Sequence, residues 1–324
     1  MRAPTPQAER FSARLWRAWD SDVAWSFRHS PIAIVAALTV VILLLGAALA
    51  PLIAPQNAFD AASLNLMEGF TRPGEPSAVT GRVFLLGTDD QGRDMLSAIL
   101  YGSRVSLLVG FASVVFSIAI GVSLGLMAGY LGGRTDAFIM RIADIQLSFP
   151  AILIALLVFG VARGLIKPQY HEQAAIIVLI IAIGLSNWAS YARTVRGSTL
   201  VEKNKDYVMS ARVMGRSALA IMGRHVLPNV TGPVLVIATI NLALAIIAES
   251  TLSFLGVGVP PTQPSLGTLI RVGQQFLFSG EWWILFYPAL DLVLLALSIN
   301  LLGDWLRDAL NPKLRLPLSS ASAT

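Results

Sequence analysis

Five stretches of this chain run for eighteen residues or more without a charged side chain: 32–53, 105–131, 145–162, 174–191 and 226–248. A sixth, 282–303, is interrupted only by Asp291. Crossing the apolar core of a bilayer takes about 20 residues as a helix. The pattern therefore predicts an all-α polytopic membrane protein with six transmembrane helices. The polar connections differ in length. Residues 54–103 are rich in Pro, Gly and Asp, whereas Gly132 to Asp136 is a tight turn between the second and third spans. Residues 163–173 form a short loop, and the fourth span is expected to end near Tyr191. Residues 192–229 then form a basic island before the fifth span, and a proline-bearing loop precedes the sixth. Ser30-Pro31 reads as N-cap and first-turn proline of the first span. Before it, Phe11, Leu15, Trp16, Trp19 and Val23 alternate with arginines, the pattern of an amphipathic segment lying on the membrane surface.

Composition supports this reading. Of the 324 residues, 55% are hydrophobic and 13% charged, against about 25% charged in soluble domains. Basic residues set the orientation. With the N-terminus inside, the inner segments hold five before the first span and Arg134 and Arg141 after the second. Seven more lie between Arg193 and Arg224, and three in the tail, making 17 of the 24 and leaving 7 outside. Six spans return the C-terminus to the same side, N-in/C-in. The net charge of +5 follows from topology and membrane lipid contact, and calls for no nucleic acid. Cysteine is absent, which excludes disulfides and thiolate metal sites. His171-Glu172 begins a His-Glu-x-x-His pattern, but position 175 is Ala and the metal motif fails. His29 and His225 are read as surface residues.

The island is the most informative segment. Asn204 is expected to cap a helix, with Asp206 in its first turn and Gly215 at its end. Tyr207, Ala211 and Met214 fall on one apolar stripe, with Arg212 and Arg216 off it. Such a helix suits docking of a cytoplasmic partner, and physics alone allows a membrane-surface helix equally.

Met209-Ser210-Ala211, Gly215 and His225-Val226-Leu227-Pro228 resemble the coupling loop of ABC importer permeases. That pattern is Glu-Ala-Ala, three residues, Gly, nine residues, a hydrophobic residue, any residue, Leu-Pro. Met209 and Ser210 replace Glu and Ala, and His225 takes the hydrophobic position. Leu86-Gly-Thr-Asp-Asp-Gln-Gly-Arg-Asp94 with Tyr101-Gly-Ser-Arg104 resembles the outer segment of dipeptide, oligopeptide and nickel permeases. Leu147 to Pro150, Glu249 to Gly256 and Gly303 to Pro312 are similar to further blocks of that family. Five blocks in order, over roughly residues 25–315, identify the chain as resembling the second, C-type permease of the pair.

The resemblance implies the type I ABC importer transmembrane fold, a bacterial inner-membrane location, and an ATP-driven importer of peptides or similar small solutes. Implied partners are a second homologous permease, two cytoplasmic ATP-binding subunits and an extracytoplasmic substrate-binding protein. No Lys follows a Gly anywhere in the chain, so no phosphate-binding Gly-Lys-Ser/Thr loop exists. The chain itself is expected to bind no cofactor and to be non-catalytic, with ATP and Mg on the partner ATPases. The implied organisation is an N-terminal segment 1–30, a first helix with its outer segment 31–103, a permease core 104–306, and a tail 307–324.

Coupling residues on this reading are Asp206, Tyr207, Met209, Ser210, Ala211, Arg212, Gly215, Leu227 and Pro228. Asp291, near the membrane midplane, and Glu249, near the outer rim, are pathway candidates. For Asp291 the alternatives are a substrate amine contact or a hydrogen bond to another span; for Glu249, the pathway or a helix-end contact. Asp89, Arg93 and Asp94 either meet the binding protein or make local turn and capping bonds. An ion-coupled secondary transporter would use Asp291 and Glu249 but leaves the island unexplained.

Overall fold

The computed structural model describes residues 22–310 apart from 59, 61, 63, 261 and 264. The surface segment expected around residues 10–19 and most of the tail lie outside these residues. A short helix α1 (Asp22–Arg28) leads to α2 (Pro31–Ala48), whose first turn is capped by Ser30 accepting from Ala33 N at 3.3 Å. After the outer segment come α3 (Met95–Leu131), α4 (Gly133–Leu147) and α5 (Ala151–Leu165). These are followed by α6 (His171–Glu202) and α7 (Asp206–Val213). Then follow α8 (Leu227–Phe254), α9 (Leu266–Phe276) and α10 (Trp283–Leu310).

Among the described residues, five helical segments are long and apolar enough to cross a membrane, and six if α4 and α5 count as one broken span. The expected continuous third span is corrected here. Its block is split at Ser148-Phe149-Pro150, with α4 and α5 bent by 99°. Pro150 has no N–H to continue the ladder and disfavours helical geometry at Phe149. α4 stays at the inner face, tied to α6 by Arg196 with Asp136 and by Arg193 with Asp144.

Two other boundaries move. The turn after the second span is Gly132 alone, at φ 69°, with α4 starting at Gly133. The fourth span does not stop at Tyr191: α6 runs on to Glu202, so the first part of the island is a helical continuation of that span. At 1.5 Å per residue its 32 residues reach about 48 Å, well beyond the ~30 Å hydrocarbon core.

The axis of the bundle is α3 against α6. Gly121, Gly125 and Gly129 on α3 share one face and let the two backbones approach. A Cβ on Gly125 would lie 2.6 Å from the Ala192 carbonyl oxygen, and one on Gly129 2.7 Å from Thr199 Cβ. α8 and α10 complete the core, with Ile246, Leu266, Leu269, Ile284 and Leu295 fully or almost fully buried toward the outer side. A separate cluster at the inner end joins Leu126, Tyr191 and Val195 to Val208, Ala211, Ile221 and Val226. That cluster fixes the island to the spans.

Candidate functional site

The island forms an eight-residue helix of about 12 Å, α7, followed by a short helical turn and a π-helical stretch, Met222–Val226, that runs into α8. Its N-cap is Lys205, whose side chain makes no capping bond, and not Asn204 as expected. The Asn204 amide instead donates back to Leu200 O at 3.2 Å, because α6 ends only two residues earlier and its last carbonyls are still open. The C-terminus is as expected. Gly215, at φ 73°, donates to Arg212 O, and Arg216 N donates to Ala211 O, the paired bonds of a left-handed helix stop.

The apolar stripe is also different. Val208 and Ala211, three residues apart, are the buried pair, packed with Ile221, Met222 and Val226. Tyr207 and Met214 lie outside it. The opposite face carries Met209, Val213 and Met214, of which Val213 is 88% and Met214 70% exposed. With Asp206 and Ser210 these residues line a shallow depression facing away from the bundle. The sequence shows two apolar sides on α7, since Val208 and Val213 sit beside the stripe first read; only one can face the spans.

Polar residues hold α7 in place. Tyr207 OH donates to Glu202 Oε2 at 2.5 Å and receives Asn229 Nδ2 at 3.2 Å, linking the ends of α6 and α8. Burial, followed by that bond to Glu202, pushes the Tyr207 phenol up to about 12. Arg212 donates to Tyr130 OH at 3.2 Å and lies over its ring, 4.9 Å from the centroid. Lys203 Nζ donates to Gly129 O at 2.8 Å. The island thus touches the inner ends of α3, α6 and α8. Glu202, Asn229 and Tyr130 were not legible as parts of it, because each belongs to an adjoining span in the sequence. Leu227 and Pro228 open α8, Leu227 half-buried and Pro228 exposed, where the π-helical stretch passes into the α-helix. His225 is half-buried, not a surface residue.

The outer candidates behave differently. Asp89, Arg93 and Asp94 are all buried. Arg93 Nε meets Asp89 Oδ2 at 2.7 Å, and Asp89 Oδ1 accepts from the backbone of Gln91 and Arg93. Asp94 caps α3 through Ser97 N at 2.8 Å, and Gln56 accepts from Asp94 N. These are the local turn and capping bonds.

At membrane depth, Asp291 accepts from Ser103 Oγ at 2.7 Å, a helix-to-helix bond between α10 and α3. Its other side opens on a groove beside α2 lined by Ile42, Leu43 and Leu100. Glu249 is fully buried. It accepts from Ser106 at 2.6 Å and Ser253 at 2.8 Å, while Ser106 Oγ also receives Leu266 N. Glu249 therefore joins α3, α8 and the start of α9, and lines no opening.

Against known proteins, residues 121–316 match the family described as binding-protein-dependent transport system inner membrane component. Residues 18–67 match the N-terminal transmembrane domain of oligopeptide transport permease C. The dipeptide transport system permease protein DppC of Haemophilus influenzae is 37% identical over 89% of this chain and 93% of its own. The oligopeptide transport system permease protein OppC of Bacillus subtilis is 35% identical over 95% of this chain and 94% of its own. Among solved structures, the inward-facing MetNI methionine ABC transporter matches with a TM-score of 0.52 at 22% identity, covering 67% of this chain and 98% of that one. That likeness supports the fold.

Proposed function

Given that the chain belongs to the family of binding-protein-dependent transport inner membrane components, and so is an inner-membrane permease subunit of an ATP-driven importer, we propose that it carries short peptides. We propose further that α7 is its seat for a partner ATPase. The peptide reading rests on relatives named as dipeptide, di/tripeptide and oligopeptide permeases. In this reading the chain pairs with a second homologous permease, receives substrate from an extracytoplasmic binding protein, and hydrolyses no ATP itself. Residues 104–306 form the permease core, with 31–103 appended to it.

One observation carries the ATPase seat. A short helix at the inner face is locked to three spans on one side and presents Met209, Val213 and Met214 to water on the other. Exposed apolar side chains on a rigid helix are the form taken by helix-in-groove recognition. A partner that binds its two nucleotide states differently will then move the spans with α7.

Gly215 gives the test. A Cβ there meets nothing within 4 Å, but φ 73° is a left-handed conformation that other residues adopt at a cost of order 1 kcal/mol. Gly215→Leu should insert normally while uptake and substrate-stimulated ATPase activity fall together, by about tenfold. Normal uptake in that variant, with the two ATPases copurifying as in the wild type, would remove α7 from the coupling path.

A further inference from the structure

A cavity of about 160 Å³ lies at the outer face, between the end of α5, the start of α6, the loop after α8, and α9. Its walls include Phe159, Val178 and Val259 from the apolar core, and its polar lining is Arg163, Arg271, His171 and Glu172. Two of the seven basic residues on the outer side thus converge on one small space. Neither guanidinium takes part in an ion pair among the described residues, in contrast to Arg93 nearby in the outer segment.

Both arginines are solvent-exposed, and Arg163 is engaged by a neighbouring histidine. His171 Nε2 lies 3.0 Å from Arg163 O and 2.8 Å from Ile166 O. Two carbonyls can only accept, so Nε2 bears the hydrogen, and Nδ1 is left to accept Arg163 Nε at 3.4 Å. His171 is therefore a positioning residue that occupies one donor of Arg163 and leaves its terminal nitrogens free. Arg271 lies across Gly256, at φ 79°, where a Cβ would come 2.7 Å from Nη1. That glycine is needed for the left-handed turn after α8, and it brings the guanidinium end close over the backbone there. Formal charges of +2 from the arginines and −1 from Glu172 leave the lining at +1.

We infer that this cavity is a binding site for a single carboxylate, supplied by the free C-terminus of the transported peptide. Guanidinium forks without an ion-pair partner match a carboxylate's two oxygens, and one monoanion neutralises the lining. The apolar wall accepts the side chain next to that carboxylate, and the volume admits one residue, not a folded loop. The site rests on the peptide reading above.

The test uses the complete transporter with its binding protein in proteoliposomes, and trialanine with its C-terminal amide as probes. For each probe, uptake by a variant is divided by uptake by the wild type, so the binding protein's own selectivity cancels. Arg271→Gln should reduce uptake of trialanine by about tenfold and of the amide by less than about twofold. Arg271→Lys should recover part of the difference, which a folding defect does not predict. Equal loss for both probes, or no loss for either, overturns the carboxylate site. Uptake of neither probe by the wild type overturns the peptide reading together with the site.

Discussion

The outer segment around Asp89 to Asp94 and the inner helix α7 have reversed the usual assignment of charged and apolar side chains. In the outer segment, two acids and an arginine are buried and satisfied within a few residues of one another. In α7, two valines lying two residues before and three after Ser210 are divided, Val208 buried and Val213 exposed. Charged residues in the first region serve the fold, and apolar residues in the second serve a surface. Residue type alone does not separate structural from interacting side chains. What separates them is whether every polar atom has found a partner and whether every apolar one has been covered.

The largest effect expected from this difference is in the outer segment. Asp89→Ala removes the partner of a guanidinium that is buried, together with two backbone acceptor bonds. Removing one side of a buried pair costs about 3–5 kcal/mol. Thermal unfolding of the detergent-solubilised protein should show a large drop in midpoint. Val213→Asp should leave the midpoint unchanged and abolish copurification of the ATPases. A variant pair with the two outcomes exchanged would show that the roles have been assigned to the wrong regions.

A smaller effect is expected at Asp90, half-buried in the same segment. Its carboxyl is raised by burial and then by neighbouring Asp89, with Arg93 acting in the opposite direction. A carboxyl raised in the folded state favours folding while protonated. That contribution is present below the unfolded value and is lost as pH rises through the folded one. At neutral pH the charge is therefore a liability, and Asp90→Asn should raise the unfolding midpoint, less so in acid. A lower midpoint for Asp90→Asn at pH 7 would mean that the charge is used, and that this segment does present an ion to a partner.

Much of this was legible beforehand. Uncharged blocks of the right length marked the spans, and Ser30-Pro31 and Gly215 marked helix ends, since caps are local chemistry; for Asp94 capping was one of two open readings. Three features were hidden for physical reasons. Pro150 lies inside an uncharged block, so hydropathy reads across the break while backbone geometry does not. The stretch of α6 beyond Tyr191 is supported by tertiary contacts, with Val195 and Thr199 buried against the α3 glycines and Arg196 and Arg193 paired with Asp136 and Asp144 on α4. The two faces of α7 depend on which side meets Val226 and Tyr191, a tertiary contact. The four-residue spacing of Gly121, Gly125 and Gly129 does carry a readable sign of the α3–α6 contact in the sequence.

The smallest effect belongs to Tyr207, which joins the two halves of the comparison: a polar atom that is satisfied, on the helix whose apolar face is not. Its hydroxyl bonds Glu202 and is reached by Asn229, yet the side chain is about one-third exposed. Tyr207→Phe loses these bonds but leaves no buried charge, so about 0.5–1 kcal/mol of local stability is at stake. The pH behaviour carries more information. The phenol is raised from 10.0 to about 12, so its contribution is whole below the unfolded value and declines as pH rises through the folded one. The protection of the α7 amides relative to their intrinsic exchange rate should fall between those two values in the wild type, and Tyr207→Phe should be less protected at neutral pH without that alkaline step. If both proteins show the same step, Tyr207 does not anchor α7, and the hold on the helix rests on Arg212 against Tyr130 and on Val208 in the inner cluster.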